Sequence, residues 1–206
     1  MILIDDSVIR QADRQIRGVN RAIEDAQARA INQTARKART SASKEIRAQV
    51  RLKAGYVNEH LKVKRQATRS RPEAIIAGRD RPTRLARYGA KQLTRKAKTG
   101  GTGDRLRRIP AGRKQAGVSV GVKRGGKRSK MRGAFMLPLR NSGVMGVFVR
   151  TGPGKKDIKH LYGPSVNQML KSVFPKILPE TADELSRQYE RQLSYELSKT
   201  ARRARR

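Results

Sequence analysis

The chain has 206 residues, of which 50 are Lys or Arg and 16 are Asp or Glu, so its formal net charge is +34 at pH 7. A free chain this basic repels itself, so the charge predicts that the protein binds a polyanion. The apolar fraction of 36% lies below the roughly 45–50% of ordinary domains, so we expect a modest core that oligomerisation or a polyanion supports.

The chain predicts one long helix from residue 6 to about residue 50. Asp5, Asp6 and Ser7 supply capping groups and negative charge at its start. Apolar and small residues then recur at alternating spacings of three and four, which predicts a seam that packs either within its own domain or against another subunit. The seam consists of Ile9, Ala12, Ile16, Val19, Ile23, Ala26 and Ala30. We expect a bend near residues 40–43, where the pattern weakens.

Several short elements follow the long helix. The sequence predicts a short helix over residues 54–60 and strands over residues 61–65 and 73–78, where apolar residues alternate with polar ones or form a short run. Leu85 and Tyr88, with basic flanks, predict a loop or a short helix.

Residues 91–116 change character, because they combine many cations and several Gly with few apolar side chains. This composition predicts a loop that is mobile when no partner is bound. Its candidate phosphate contacts are Arg105, Arg107, Arg108, Arg113 and Lys114.

The β-like pattern resumes with strict alternation over residues 117–123. A basic hairpin loop is predicted over residues 123–132, and strands are predicted over residues 134–139 and 144–150. The turn sequence Asn141-Ser142-Gly143 joins the last two strands. The candidate phosphate contacts of the hairpin loop are Arg124, Lys127, Arg128, Lys130 and Arg132.

The stretch His160-Leu161-Tyr162-Gly163-Pro164-Ser165 marks the change from β-like to helical sequence. Gly163 tolerates a positive φ angle, Pro164 restricts the residue before it, and Ser165 stands where a helix N-cap is expected. We interpret the stretch as a strand-to-helix corner and assign no catalytic role to His160 or Ser165.

Two C-terminal helices are predicted after the corner. The first has an apolar face within residues 166–173 and ends at Phe174-Pro175. The second begins at Pro179 and has acidic residues near its start, as the helix dipole prefers. The apolar stripe of the second helix consists of Ala182, Leu185, Tyr189, Leu193 and Leu197.

These elements predict an α+β fold with a long N-terminal helix, a small and mostly antiparallel sheet, and two C-terminal helices. The predicted regions are residues 1–60, which are helical, residues 61–157, which are β-rich, and residues 158–206, which hold the corner and the last helices. We expect the three regions to form one domain.

The residues argue against catalysis and against a bound cofactor or metal. The chain has no Cys, so it offers no thiolate nucleophile, and its two histidines, His60 and His160, lie far apart in the sequence. Residues 121–128 nearly match the phosphate-binding loop GxxxxGK[ST], but Arg128 stands where the hydroxyl residue is required. No apolar run reaches the roughly 18 residues that a membrane helix needs, and the N-terminal sequence does not resemble a signal peptide, so no membrane partner is expected.

The basic loops predict sequence-independent, electrostatic contact with nucleic acid that weakens steeply with salt. The few aromatic residues form no series with cations, which argues against recognition by base stacking, and no known DNA-reading motif is evident.

Four stretches carry a resemblance to a known family. They are Ile31-Asn32-Gln33-Thr34-Ala35-Arg36-Lys37-Ala38-Arg39-Thr40, Arg132-Gly133-Ala134-Phe135, Val147-Phe148-Val149-Arg150 and, most specific, Ile158-Lys159-His160-Leu161-Tyr162-Gly163-Pro164-Ser165-Val166. Together with the long C-terminal helix, their order and spacing over residues 5–200 resemble the minor tail protein Z family of tailed bacteriophages and prophages. That family is related to tail-completion and head–tail joining proteins.

The resemblance implies a structural virion protein that completes the tail or neck and joins head to tail as a homo-oligomeric ring around the DNA channel. The implied partners are further copies of the chain, other neck or tail proteins such as a tail terminator or connector, and double-stranded DNA bound without sequence preference. The implied location is the virion, with the host cytoplasm during assembly. The corner at residues 160–165 would then lie at a subunit contact.

The residues alone leave a second function open, namely a basic nucleoid-like or ribosome-associated protein that binds nucleic acid outside any virion. An enzyme acting on nucleic acid is a weaker alternative. The long apolar seam and the sheet favour an assembling protein, because a simple nucleic-acid coat needs less packing surface.

Overall fold

The structure is a computed structural model that describes residues 6–139, 142–154 and 156–204. Its first elements are α1 (Asp6–Gln49), α2 (Ala54–His60), β1 (Leu61–Arg65), β2 (Ile75–Gly78), β3 (Thr83–Arg84) and a 3₁₀ helix (Leu85–Tyr88). The remaining elements are β4 (Lys91–Lys96), β5 (Arg113–Val120), β6 (Ser129–Met131), β7 (Ala134–Pro138), β8 (Met145–Arg150), β9 (Ile158–His160), β10 (Tyr162–Gly163) and α3 (Val166–Ala204). The predicted α+β class is confirmed.

In the described part of the chain, the strands form four small sheets rather than one. Their orders are β1-β2, β10-β3, β4-β5-β6 and β7-β8-β9. The strand pairs of the last three sheets are antiparallel, as predicted. The hairpin of β7 and β8 is confirmed, although Asn141 of its predicted turn lies outside the described residues. Within the described part of the chain, no helix is both long enough and apolar enough to cross a membrane.

The chain divides into two compact units. The first contains Met1–Ala42, Lys62–Ala77 and Phe174–Arg206, and the second contains Ser43–Leu61 and Gly78–Val173. Each unit has its own set of buried apolar side chains. The division predicted at residues 60 and 157 stays a prediction.

The first unit is built on α1 and α3, which run antiparallel. Lys37 pairs with Glu184 and Arg29 pairs with Glu196, so residues further along α1 meet residues earlier in α3. Small side chains let the two backbones approach closely. The buried small residues of α1 in this unit are Ala22, Ala26, Ala28, Ala30, Ala35, Ala38 and Ala42.

The predicted seam of α1 is buried only in its second half. Ala26 and Ala30 are fully buried, whereas Ile16 is 60% exposed and Val19 is 40% exposed. The helix continues unbroken through residues 40–43. Asp5 lies outside the described residues, as do the side chains of Asp6, Ser7, Ile9 and Ala12.

The C-terminal region is one helix, so the predicted break at Phe174-Pro175 is wrong. Pro175 and Pro179 both lie inside α3. A proline inside a helix removes a backbone hydrogen bond and costs about 3 kcal/mol. Both prolines are exposed, which leaves the freed carbonyls close to solvent, where water can satisfy them. Helix propensity on either side then outweighs the two breaks.

The part of α3 beyond Pro179 turns a polar side towards the interior of its unit. Gln188 is 7% exposed and Glu196 is 3% exposed, whereas Leu185 and Leu197 of the predicted apolar stripe are each 38% exposed. The buried Glu196 is compensated by ion pairs with Arg29 and Lys199. This part of α3 therefore buries a carboxylate and leaves two leucines partly exposed. Folded proteins usually do the opposite, burying leucines and exposing carboxylates.

The second unit has the larger side chains in its core. Tyr88, Val118, Val147 and Val166 are fully buried, and they come from the 3₁₀ helix, two different sheets and the start of α3. The short helix and strand predicted over residues 54–60 and 61–65 are confirmed by α2 and β1.

The prediction of a loop over residues 91–116 is wrong at both ends. β4 pairs with β5 in an antiparallel ladder whose register shifts between Leu93 and Thr94, and this pairing leaves only residues 97–112 as the connection. β6 likewise takes up the end of the predicted basic loop at residues 123–132. The cationic residues of these strands predict a loop, because their composition resembles that of a solvated segment. In the structure they belong to a sheet whose other positions supply Val118 and Val120 to the core.

Candidate DNA-contact and subunit-contact surfaces

The β4–β5 hairpin places like charges directly opposite each other. Arg95 faces Lys114, and Lys96 faces Arg113. Directly opposed like charges destabilise a strand pair by up to about 1 kcal/mol, and a bound anion relieves that repulsion. This arrangement suits a surface that meets phosphates.

Four of the ten candidate phosphate contacts are held by internal hydrogen bonds. Arg113 donates from Nε to Thr94 Oγ1 at 2.7 Å and from Nη2 to the Thr94 carbonyl at 3.1 Å. Arg128 donates from Nη2 to the Gly89 carbonyl at 2.6 Å and from Nε to Ser119 Oγ at 2.9 Å. These side chains fasten the hairpin and its neighbouring loop.

Arg107 and Arg124 are also engaged within the fold. Arg107 Nε lies 3.3 Å from Asp104 Oδ2, and its guanidinium lies 5.0 Å from the centre of the Phe135 ring. Arg124 donates from Nη1 to the carbonyl of Arg47 at 3.0 Å. Arg47 is in the last turn of α1, so Arg124 supplies a cation where the helix dipole favours one.

The other six candidates are exposed and have no side-chain partner within the described part of the chain. Arg108 has a φ angle of 59°, in the left-handed region that a non-glycine residue seldom adopts. The six are free to contact phosphates without breaking an internal bond. They are Arg105, Arg108, Lys114, Lys127, Lys130 and Arg132.

The corner at residues 160–165 links two sheets to α3. Leu161 N–H donates to the Val147 carbonyl at 2.8 Å, and the Leu161 carbonyl accepts from Leu85 N–H at 3.1 Å. Ser165 starts α3 with a reciprocal pair of hydrogen bonds. The Gln168 N–H donates to Ser165 Oγ at 3.0 Å, and the Ser165 N–H donates to Gln168 Oε1 at 2.8 Å. This is a capping box, as the position of Ser165 predicts.

Tyr88 holds the corner in place with a hydrogen bond. Its hydroxyl donates to the Pro164 carbonyl at 2.6 Å. Burial raises the pKa of Tyr88 to about 12, so the hydroxyl keeps its proton and remains a donor at neutral pH. Tyr162 and Gly163 pair with Arg84 and Thr83 in the small β10-β3 sheet. A role for the corner in subunit contact stays a prediction.

His160 lies between two aromatic rings. Its ring centre is 4.5 Å from that of Phe148 and 4.5 Å from that of Tyr162. Partial burial lowers the pKa of His160, and the nearby positive charge of Arg84 lowers the pKa further. Nε2 is buried and accepts no hydrogen bond from the described residues. The fold therefore favours the neutral imidazole.

We expect His160 to make the protein less stable as the pH falls below about 6.5. The unfolded chain binds the proton more readily, with a pKa of about 6.5, so the stabilisation present above that pH is lost below it. His160→Phe keeps a ring in the stack and should flatten this dependence. Thermal unfolding of both proteins above and below a pH of about 6.5, at constant ionic strength, measures it. Parallel curves for the two proteins would contradict the assignment.

A small cavity in the second unit gathers four arginines that the sequence reasoning missed. Its volume is about 90 Å³, and we call it the Arg–Tyr cavity. It is lined by Tyr56, Arg79, Arg81, Pro82, Arg84, Arg87 and Tyr162. The only signal in the sequence is the spacing of cations on both sides of Pro82, which is unremarkable in so basic a chain.

The arginines of this cavity have no carboxylate partner among the described residues. Arg79 Nη1 lies 3.2 Å from His60 Nε2, and the Arg87 guanidinium lies 4.3 Å from the centre of the Tyr56 ring. Arg81 is exposed. Planar guanidinium groups suit carboxylates and phosphates, and the tyrosine hydroxyls add further hydrogen-bonding groups. The cavity can therefore hold an anion.

Comparison with known protein families gives a match over most of the chain. The model of a family described as "Prophage minor tail protein Z (GPZ)" matches residues 9–203, which is nearly the whole chain. Comparisons with curated proteins and with solved structures gave no significant match.

Proposed function

The chain belongs to the prophage minor tail protein Z family, and on this premise we propose that it completes the tail or neck as a ring of identical subunits that joins head to tail. Family membership makes the chain a structural protein of a phage tail and a component of the virion. The match over residues 9–203 carries the proposal. The ring, the joining role and the contact with DNA go further than that match.

The charge distribution supports a contact with the DNA that passes through the ring. A net charge of +34 needs a counter-charge, and packaged DNA supplies one. The six exposed cations and the opposed pairs of the β4–β5 hairpin offer contacts that depend on phosphate spacing rather than on base sequence. The proposed partners are double-stranded DNA, further copies of the chain, and other neck or tail proteins. Since the family is structural, we propose no catalytic activity.

Deleting the gene from the phage or prophage that encodes the chain tests this function. We expect heads filled with DNA and separate tails in the lysate, seen by electron microscopy, and restored joining when the chain is supplied from a plasmid. In wild-type particles, mass spectrometry should find the chain in the tail or neck fraction. Particles that lack the chain, or that join normally without it, would contradict the proposal.

The ring is tested separately on the purified protein. Sedimentation and light scattering over a series of salt concentrations should show a closed oligomer of one size, because salt screens the repulsion between copies. A protein that remains monomeric in the absence and presence of DNA would exclude the ring.

A further inference from the structure

Beyond Pro179, α3 leaves some apolar side chains partly exposed, while its buried positions there are polar. Four residues spaced four apart form a line that we call the α3 stripe. The stripe consists of Leu185, Tyr189, Leu193 and Leu197. Its two end leucines are each 38% exposed and its two middle residues are half-buried, whereas Gln188 and Glu196 on the inner side are 7% and 3% exposed. Polar residues buried beside partly exposed leucines are unusual, and a second molecule on the stripe would bury these leucines further.

The surroundings of the α3 stripe are acidic in a strongly basic chain. Residues 180–196 contain five carboxylates and two arginines, a net charge of −3, although the chain carries +34. Glu184 and Glu196 are paired with Lys37 and Arg29. The other three carboxylates of this segment are exposed and have no partner that the structure describes. They are Glu180, Asp183 and Glu190.

The Arg–Tyr cavity has the complementary properties. Its arginines have no carboxylate partner in the described residues, and Tyr162, 45% exposed, adds an open aromatic ring to its lining. Tyrosine and arginine are the residues that most often dominate protein interfaces. Apolar side chains with flanking carboxylates fit such a surface, because the exposed Tyr162 ring can contact the former and the guanidinium groups can pair with the latter.

We propose that the α3 stripe of one copy docks on the Arg–Tyr cavity of a second copy. This inference rests on the proposed ring and names the contact that would build it. Because the two surfaces are different, each copy has one of each to offer, and the contact repeats from copy to copy. A head-to-tail contact of this kind closes into a ring when the rotation permits.

The chemistry of the α3 stripe favours a second copy over DNA as its occupant. Asp183 and Glu190 would repel phosphates, and leucine side chains gain nothing from a DNA backbone. Two copies that each carry +34 repel each other strongly, so they must associate where one copy is locally acidic. Residues 180–196 hold five of the 16 acidic residues of the chain.

A charge exchange between the two surfaces tests the contact. The stripe variant carries Asp183→Lys and Glu190→Lys, and the cavity variant carries Arg81→Glu and Arg84→Glu. Each variant alone should associate at least ~10-fold more weakly than the wild type in sedimentation, because like charges then face each other. An equimolar mixture should assemble again with alternating subunits, because each variant retains one native surface and its reversed surface matches the other reversed surface.

Matched variants control for the change in net charge. Glu24→Lys with Glu59→Lys repeats the charge change of the stripe variant on exposed residues elsewhere, and Lys62→Glu with Lys64→Glu repeats that of the cavity variant. Both controls should assemble like the wild type. Circular dichroism and thermal unfolding confirm that each variant is folded before its assembly is compared.

The outcomes separate this contact from the proposed function. If the wild type assembles and both variants assemble equally well, the contact is wrong and the ring stands. If the wild type never assembles, the ring and the contact are both wrong. If the stripe variant self-associates normally but fails to enter tails, the α3 stripe binds another tail protein and not a second copy. If the cavity variant loses only DNA affinity, the cavity is a phosphate site and the contact is again wrong.

Discussion

Replacing the six exposed candidate cations within residues 105–132, which we call the hairpin region, by Gln is expected to weaken binding to double-stranded DNA by several orders of magnitude at low salt. Removing one phosphate contact lowers the slope of log K against log salt by about 0.9, so removing six lowers it by up to about 5. Fluorescence anisotropy with a duplex of random sequence, measured over a salt series, gives both the affinity and the slope. The variant replaces Arg105, Arg108, Lys114, Lys127, Lys130 and Arg132.

A second variant with the same net charge shows whether position matters. It replaces Lys44, Lys62, Lys64, Lys171, Arg191 and Arg202, which are also exposed. This control should keep most of the salt slope, because its cations do not lie on the hairpin region. Equal losses in the two variants would mean that DNA responds to net charge alone, and the candidate surface would be wrong.

Gly163→Ala is expected to destabilise the protein by about 1–3 kcal/mol, the usual cost of overpacking a tight interior. A Cβ atom at this position would lie 2.6 Å from Tyr88 Cε2. The Tyr88 ring cannot withdraw easily, because it is fully buried and its hydroxyl is bonded to the Pro164 carbonyl. In a protein of this size, each kcal/mol lowers the melting temperature by roughly 2–4 °C, which differential scanning calorimetry resolves.

Gly133→Ala is the matched control for this substitution. A Cβ atom at position 133 would meet no atom within 4 Å, and the residue does not have a positive φ angle. Its melting temperature should stay close to that of the wild type. An unchanged melting temperature for Gly163→Ala would show that the corner adapts, and that the glycine there is not required by the Tyr88 contact.

The sequence was most informative where the local signals were strong. The order Pro164-Ser165, with Gln168 three residues later, contains the whole capping box that starts α3. Such motifs depend only on neighbouring residues, so they can be read without knowledge of the tertiary fold. In the same way, the apolar periodicity predicts the long helix α1, and the turn residues predict the β7–β8 hairpin.

Sequence reasoning failed where tertiary context outweighed local preference. The sequence of β4 predicts a basic loop because half of its side chains are cationic, and only its pairing with β5 makes it a strand. Pro175 and Pro179 predicted a break, yet their exposure lets α3 continue. The Arg–Tyr cavity brings Tyr56 and Tyr162 together from distant parts of the sequence, and no local pattern announces such a meeting.

The opposed cations of the β4–β5 hairpin would make the stability of the protein depend on binding of the polyanion that we propose as its partner. With Arg95 facing Lys114 and Lys96 facing Arg113, any polyanion that binds the native hairpin removes a repulsion that the free protein must bear. By linkage, such a ligand raises the free energy of unfolding by RT ln(1 + [L]/Kd). On the proposed contact with DNA, the protein would therefore unfold less readily when DNA is bound than when it is free.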